Sequence, residues 1–223
     1  TKPANNVTPA NPLGAASAQE QTDVDTSTIM EMTQGNPDAP VTVIEYASFT
    51  CPHCANFHTS VFEELKENYI DTGKVRLVAL NLPLPFHKDA RKAAQAAHCA
   101  GEQDKFWEMR EILFRNPQKL NTENLPAHAE SLSLDMTAFN ECLQSERHLT
   151  EIDQDAKDAR SVSLTGTPSF IIGKTAPDKI TGQVVVGAQP IREFDVAIGK
   201  ALSKPAAAPK VEKPEPAQKK PAG

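Results

Sequence analysis

VTVIEYASFT, Val41–Thr50, runs without a break into CPHC, Cys51-Pro52-His53-Cys54, and then into ANFHTSVFEELKENY, which ends at Tyr69. The first segment is rich in β-branched residues and reads as a buried central strand. In the last, Phe57, Val61, Leu65 and Tyr69 recur every fourth residue, the stripe of a helix running from Cys54 to about Ile70 and stopped at Gly73. A CxxC pair at a strand–helix junction is a thiol–disulfide redox arrangement. The thiolate is the nucleophile, and the start of a helix favours negative charge, so Cys51 is the expected attacking sulfur. Pro52 suits the first helical position, where its missing N–H costs nothing. His53 can add positive charge or a hydrogen bond to that thiolate. Together these features place the Cys51 pKa within about 3.5–7.5. Cys54, one turn further in, is expected to be shielded and to act as the resolving thiol.

A competing reading of the same residues is a zinc half-site made of Cys51, Cys54 and His58. No second CxxC or histidine pair completes it, so no metal and no cofactor is assigned. The other histidines, His87, His98, His128 and His148, are scattered on helical stretches and read as structural or surface residues.

Around this motif the chain has 223 residues and a formal net charge of -6, which does not favour a nucleic-acid-binding surface. No apolar run reaches the roughly 20 residues that cross a bilayer. Thr1 is not followed by a signal-peptide pattern. The other two cysteines are Cys99 and Cys142. Either they bond to each other, which implies an oxidising compartment, or they are two unpaired buried thiols.

Before the motif, residues 1 to about 25 lack apolar periodicity and read as a flexible leader. Thr28–Met32 alternates enough for a short edge strand. After it, Val75–Leu80 is a second central strand, stopped by Asn81-Leu82-Pro83-Leu84-Pro85. From His87 to Val162 the pattern is almost wholly helical, with Phe106, Trp107, Met109 and Leu113 read as core and Asp135 as a helix cap. Strands return at Pro168–Ile172, taken to end at Gly173, and at Val184–Val186. Pro190 opens a last helix through Leu202, and from Ser203 the Pro/Ala/Lys composition reads as a disordered tail. A helical block therefore interrupts a small α/β unit whose halves must meet around it.

CPHC after VTVIEYASFT, the helical insertion, and Gly166-Thr167-Pro168-Ser169-Phe170 together resemble the DsbA-like branch of the thioredoxin superfamily, over about Thr28 to Leu202. The resemblance implies an α/β thioredoxin fold, discontinuous over 28–86 and 163–202, with an all-helical insertion at 87–162, a leader at 1–27 and a tail at 203–223. It implies that Pro168 is a cis-proline facing the CxxC and lining the substrate groove, with Thr167 offering backbone hydrogen bonds to a substrate strand. It implies that Glu45 assists proton transfer at Cys54, and that Cys99 and Cys142 form a structural disulfide; so apolar a strand makes Glu45 a buried carboxyl of raised pKa rather than an ordinary surface charge. The implied activity is that of an extracytoplasmic, periplasmic dithiol oxidase acting on reduced secreted proteins. It would be monomeric, tethered to the membrane or free, and reoxidised by a DsbB-like membrane partner. Thr167 departs from the oxidase pattern, which has Val there. That residue keeps open an isomerase or reductase held reduced by a membrane donor. A copper-binding or chaperone module using the two thiols is a third reading.

Overall fold

A computed structural model of the chain describes residues 21–25, 32–177 and 179–203. Its centre is a six-stranded sheet with strand order β1-β6-β5-β3-β4-β2. The strands are β1 (Gln21–Asp25), β2 (Thr33–Gln34), β3 (Val41–Ala47), β4 (Val75–Asn81), β5 (Ser169–Lys174) and β6 (Lys179–Val186). Strand β3 runs parallel to β4 and antiparallel to β5. Every residue of β3 is buried, as expected of a strand covered on both faces.

The period-2 alternation of β3 sorts its side chains between two cores. Val41 and Val43 pack with Phe57, Leu65, Phe170 and Phe194, under α1 (Pro52–Ser60), α2 (Phe62–Leu65) and α8 (Ile191–Ser203). Ile44 and Tyr46 pack with Ala156 and Ala159 of α7 (Leu149–Ser161) on the opposite face. Helix α7 belongs to the block between β4 and β5, so that block supplies the lid of one sheet face as well as its own core. The rest of the block is α3 (Ala90–Gly101), α4 (Phe106–Arg115), α5 (Leu125–Ser131) and α6 (Met136–Ser145). Its core joins Phe106, Met109, Leu113 and Phe139 to Phe49, Cys51 and Cys54, so the redox motif sits where the two parts of the fold touch. The Asp135 side chain caps α6 by accepting from the Thr137 and Ala138 N–H groups.

Cys99 of α3 and Cys142 of α6 are joined by a disulfide across a sequence separation of 43. Replacing both by Ala is expected to lower unfolding stability by about 2–4 kcal/mol, because the cross-link restricts the unfolded chain. The measurement is a denaturant unfolding curve, in which the midpoint falls and the slope steepens because the uncrosslinked unfolded chain exposes more surface.

Five boundaries differ from the sequence expectation, the first being the helix after the motif, which begins at Pro52, breaks at Val61 and closes in a π-helical turn over Lys66–Ile70. Residues 21–25 lie within the expected leader, yet they form β1, paired antiparallel with β6 from Gln21↔Gln183 to Asp25↔Lys179. Val24, the one apolar residue of the segment, enters the core at 4% exposure, so an edge strand with a single apolar residue left almost no periodic signal. The expected strand at Thr28–Met32 falls mostly outside the described residues, and the strand observed nearby is Thr33–Gln34. Strand β5 does not stop at Gly173 but continues to Lys174, with Gly173 opposite Gly182. A Cβ on either glycine would run into the partner strand's backbone, so these glycines permit a close approach rather than end a strand. Strand β6 begins at Lys179, five residues before Val184. Ser203 closes α8, and the remainder of the expected tail lies outside the described residues. Among the described residues no helix is long and apolar enough to cross a membrane.

Candidate active site

Helix α1 begins at Pro52, with Cys51 as its extended N-cap (φ -83°, ψ 120°). The unpaired N–H groups of the first turn therefore point towards the Cys51 sulfur. Cys51 is 5% exposed and Cys54 is fully buried, and both are free thiols. Facing them is the Thr167–Pro168 peptide bond, which is cis. The Cys51 thiol donates to the Thr167 carbonyl oxygen at 3.3 Å. The Thr167 hydroxyl is buried with no hydrogen-bond partner while Cys51 is a thiol, and so is free to donate to a Cys51 thiolate.

This setting separates the two cysteines. The Cys54 thiol donates to the Cys51 sulfur, and although burial opposes ionisation, hydrogen bonds from Thr167 and from the Cys54 and His53 N–H groups add to the effect. The Cys51 pKa falls to about 5. Burial pushes the Cys54 thiol far up, helped by the neighbouring Cys51 and by the Glu45 charge. His53 reaches the thiolate through its backbone N–H, while its side chain is exposed.

Glu45 follows Val41 and Val43 on the α1 side of β3 and is fully buried. The expected raised pKa is not found. Burial by itself pushes the carboxyl up, but Arg110 and His58 outweigh it and bring the pKa down to about 2. Arg110 Nη2 donates to Glu45 Oε2 at 2.8 Å, and His58 Nε2 lies 2.9 Å from Glu45 Oε1. Burial holds His58 below its usual pKa, so it is neutral and donates its Nε2–H to the carboxylate. The His58 ring stacks on Phe114 at 4.1 Å and 6°, and the Arg110 guanidinium lies over the same ring at 4.9 Å. His58 is thus tied to Glu45 and Phe114. Among the described residues the side-chain clusters able to hold a metal do not include Cys51, Cys54 and His58.

Arg110 is the site residue that the sequence reading missed. Its signal was present: in FWEMREILFR it follows Phe106 by four residues and precedes Phe114 by four, an arginine on the apolar stripe of a helix. Also missed was the loop after β4. Ser48, Thr50 and His87 form a side-chain chain, with Ser48 Oγ to Thr50 Oγ1 at 3.1 Å and Thr50 Oγ1 to His87 Nδ1 at 2.9 Å. It holds the loop beside Cys51 and presents Phe86 at 77% exposure, the most exposed large apolar side chain among the described residues.

Comparison with known proteins agrees with this geometry. A family profile described as Thioredoxin matches residues 27–184. The "Probable disulfide bond formation protein D" of Bacillus cereus is 33% identical over 148 residues, covering 62% of this chain and 68% of that protein. The solved structure of Wolbachia pipientis alpha-DsbA1 superposes with a TM-score of 0.66 at 31% identity, covering 77% of this chain and 92% of that one. The chain is also 41% identical over 140 residues to the Na(+)/H(+) antiporter NhaA 3 of Salinispora tropica; the match covers 62% of this chain and only 21% of the antiporter. The chain spans about a fifth of that relative's length. The chain belongs to the DsbA-like thiol:disulfide oxidoreductases of the thioredoxin superfamily, with a thioredoxin fold interrupted by a helical insertion.

Proposed function

We propose that the chain is a dithiol oxidase that introduces disulfides into reduced secreted proteins. The observation that carries this reading is the opposed ionisation of its two thiols, Cys51 brought down to about 5 and Cys54 pushed up by burial. A substrate thiolate attacks Cys51 of the Cys51–Cys54 disulfide, the S–S bond breaks, and Cys54 leaves as a thiolate that takes up a proton. A second substrate thiolate then attacks the substrate sulfur of the mixed disulfide, and Cys51 leaves. The substrate gains a disulfide and the protein keeps two electrons and a proton as Cys51 thiolate and Cys54 thiol. Stabilising the thiolate that leaves makes the disulfide a strong oxidant.

Glu45 acts in this scheme as a fixed negative charge. Lying beneath Cys54, it disfavours the Cys54 thiolate and so favours its protonation. Thr167 and Pro168 form the wall against which the substrate strand lies, and Phe86 adds an apolar contact for an unfolded polypeptide. An extracytoplasmic site of action, in a periplasm or its equivalent, fits the Cys99–Cys142 disulfide. Turnover then requires a quinone-linked, DsbB-like membrane partner to reoxidise the chain, which works as a monomer.

Thr167 favours a second reading, an isomerase or reductase kept reduced by a membrane donor. The reduction potential of Cys51–Cys54, read by equilibration with glutathione, separates the two. The oxidase reading expects a value near the roughly -120 mV of strong dithiol oxidants, and a value near thioredoxin's roughly -270 mV overturns it.

A further inference from the structure

We propose that His98, His148 and Glu151, on the helical insertion and apart from the redox thiols, bind a divalent transition-metal cation of the zinc type. His98 lies on α3 and is 1% exposed, and its Nδ1 is buried with no hydrogen-bond partner. That atom is 3.5 Å from Glu151 Oε2. His148, at the start of α7, places its Nδ1 3.6 Å from the same oxygen. The three ligand atoms all lie within 4.8 Å of one another. Both nitrogen–oxygen separations are long for hydrogen bonds. They are close to the ligand–ligand edge of a tetrahedral site, roughly 3.3–3.5 Å for metal–ligand bonds of about 2.0–2.2 Å. Two imidazoles and a carboxylate are a zinc-type donor set that leaves a fourth position for water. Water has access, since His98 and His148 line a cleft of about 540 Å³ together with Glu102, Asp104 and Phe106.

The outer contacts orient the donors. His148 Nε2 donates to Glu102 Oε1 at 2.8 Å, which leaves the Nδ1 lone pair free to face inward. A carboxylate on the far nitrogen is the usual support of a metal-binding histidine. Arg147 pairs with Glu102 and, with His148, holds that carboxyl down at about 2, so it remains an acceptor. Burial brings His98 down to about 3, leaving a neutral imidazole. Its Nε2 is 2.9 Å from Asn81 Nδ2, and the same amide nitrogen is 2.8 Å from Asp155 Oδ2. With a cation on Nδ1, the His98 proton sits on Nε2 and the Asn81 amide turns its oxygen towards it. Asp155, pushed up to about 7 chiefly by burial, can then carry a proton and donate to that oxygen. The cation would pin α3 to the start of α7, one residue from the Cys99–Cys142 bridge.

The test uses the full chain with both disulfides formed, so that no thiolate competes. Co2+ is titrated in, followed optically through its ligand-field bands, and then displaced with Zn2+. The expected result is one equivalent of Co2+ bound, displaced by Zn2+, with the melting temperature rising in Zn2+. Glu151→Gln and His148→Ala change partly exposed side chains, and melting without metal checks that both fold. Each is expected to weaken Co2+ binding at least tenfold, and Glu102→Gln to weaken it by about 10–100-fold. Thiol–disulfide exchange by Glu151→Gln should match that of the parent. Absence of saturable one-equivalent binding in the parent overturns the proposal. So does equal binding in Glu151→Gln and His148→Ala, which would place the ion elsewhere.

Discussion

Replacing Arg110 with Met lowers the unfolding free energy by about 3–5 kcal/mol, because it strands the Glu45 carboxylate in the interior. Glu45 is fully buried and Arg110 4% exposed, and they meet at 2.8 Å, so the variant removes the chief counter-charge of a carboxylate held in the interior. The double variant Glu45→Leu with Arg110→Met should recover most of that loss, since well-packed apolar groups can substitute for a buried ion pair. If Arg110→Met alone costs less than about 1 kcal/mol, the pair is not the buried, unsolvated contact described above. The pH dependence has a definite sign. Glu45 is depressed to about 2 in the folded state, so its stabilisation is complete above the unfolded carboxylate pKa, about 4.3, and is lost as pH falls towards 2. His58, held neutral by burial, binds its proton more readily in the unfolded chain. It removes further stability as pH falls below about 6.5. Denaturation curves across pH 2–7 should therefore fall steeply on the acid side, and the acid slope should flatten in the Glu45→Leu, Arg110→Met variant.

That pair also shows what the sequence could carry. CPHC, the strand before it and the helix start after it are local features, written in consecutive residues, and the structure places them there, although the helix breaks at Val61 and closes in a π-helical turn over Lys66–Ile70 instead of running unbroken. The partners of Glu45 are set by tertiary packing. Its burial could be read from an apolar strand, but the sign of its pKa depends on an arginine 65 residues away on helix α4. With desolvation alone in view, the raised value followed; the guanidinium and the imidazole reverse it. β1 escaped notice for the opposite reason. Its order comes from pairing with β6 at the sheet edge, and QTDVD holds one apolar residue, the buried Val24. Gly173 misled because glycine has two uses, breaking a strand or letting two backbones close, and only the opposing Gly182 decides between them. His98, a lone histidine on an alanine-rich helix, gave no sign of function. Its orphaned nitrogen became visible only once His148 and Glu151, some 50 residues on, were brought alongside.

Cys51→Ala abolishes thiol–disulfide exchange, whereas Cys54→Ala keeps a Cys51 thiolate that attacks disulfides, releasing one of their two sulfurs as a thiolate, and then stays trapped as the mixed disulfide for want of a resolving thiol. The asymmetry follows from position. Cys51 caps the helix start beside Thr167, while Cys54 is enclosed, with no exposed surface. Non-reducing gels with a reduced substrate protein and an oxidant should show the covalent adduct for Cys54→Ala alone. Its appearance with Cys51→Ala instead would reverse the assignment of nucleophile and resolving thiol. Alkylation kinetics add a quantitative check. In the reduced parent, modification of Cys51 should rise with a midpoint near pH 5, and Cys54 should stay unreactive at neutral pH. In Cys54→Ala the midpoint should move above 5, because the largest stabilisation of the Cys51 thiolate is the hydrogen bond from the Cys54 thiol. The same shift fixes the relative stability of the redox forms. An acid whose folded pKa is depressed stabilises the fold above its unfolded pKa and loses that contribution as pH falls through the folded value. The Cys51 thiolate exists only in the reduced protein, so at pH 7 the reduced form should melt above the oxidised one. The gap should close as pH falls through about 5. A fold that prefers its own reduced state passes its disulfide on, so the order of these two melting temperatures reports the direction of electron flow without a physiological partner.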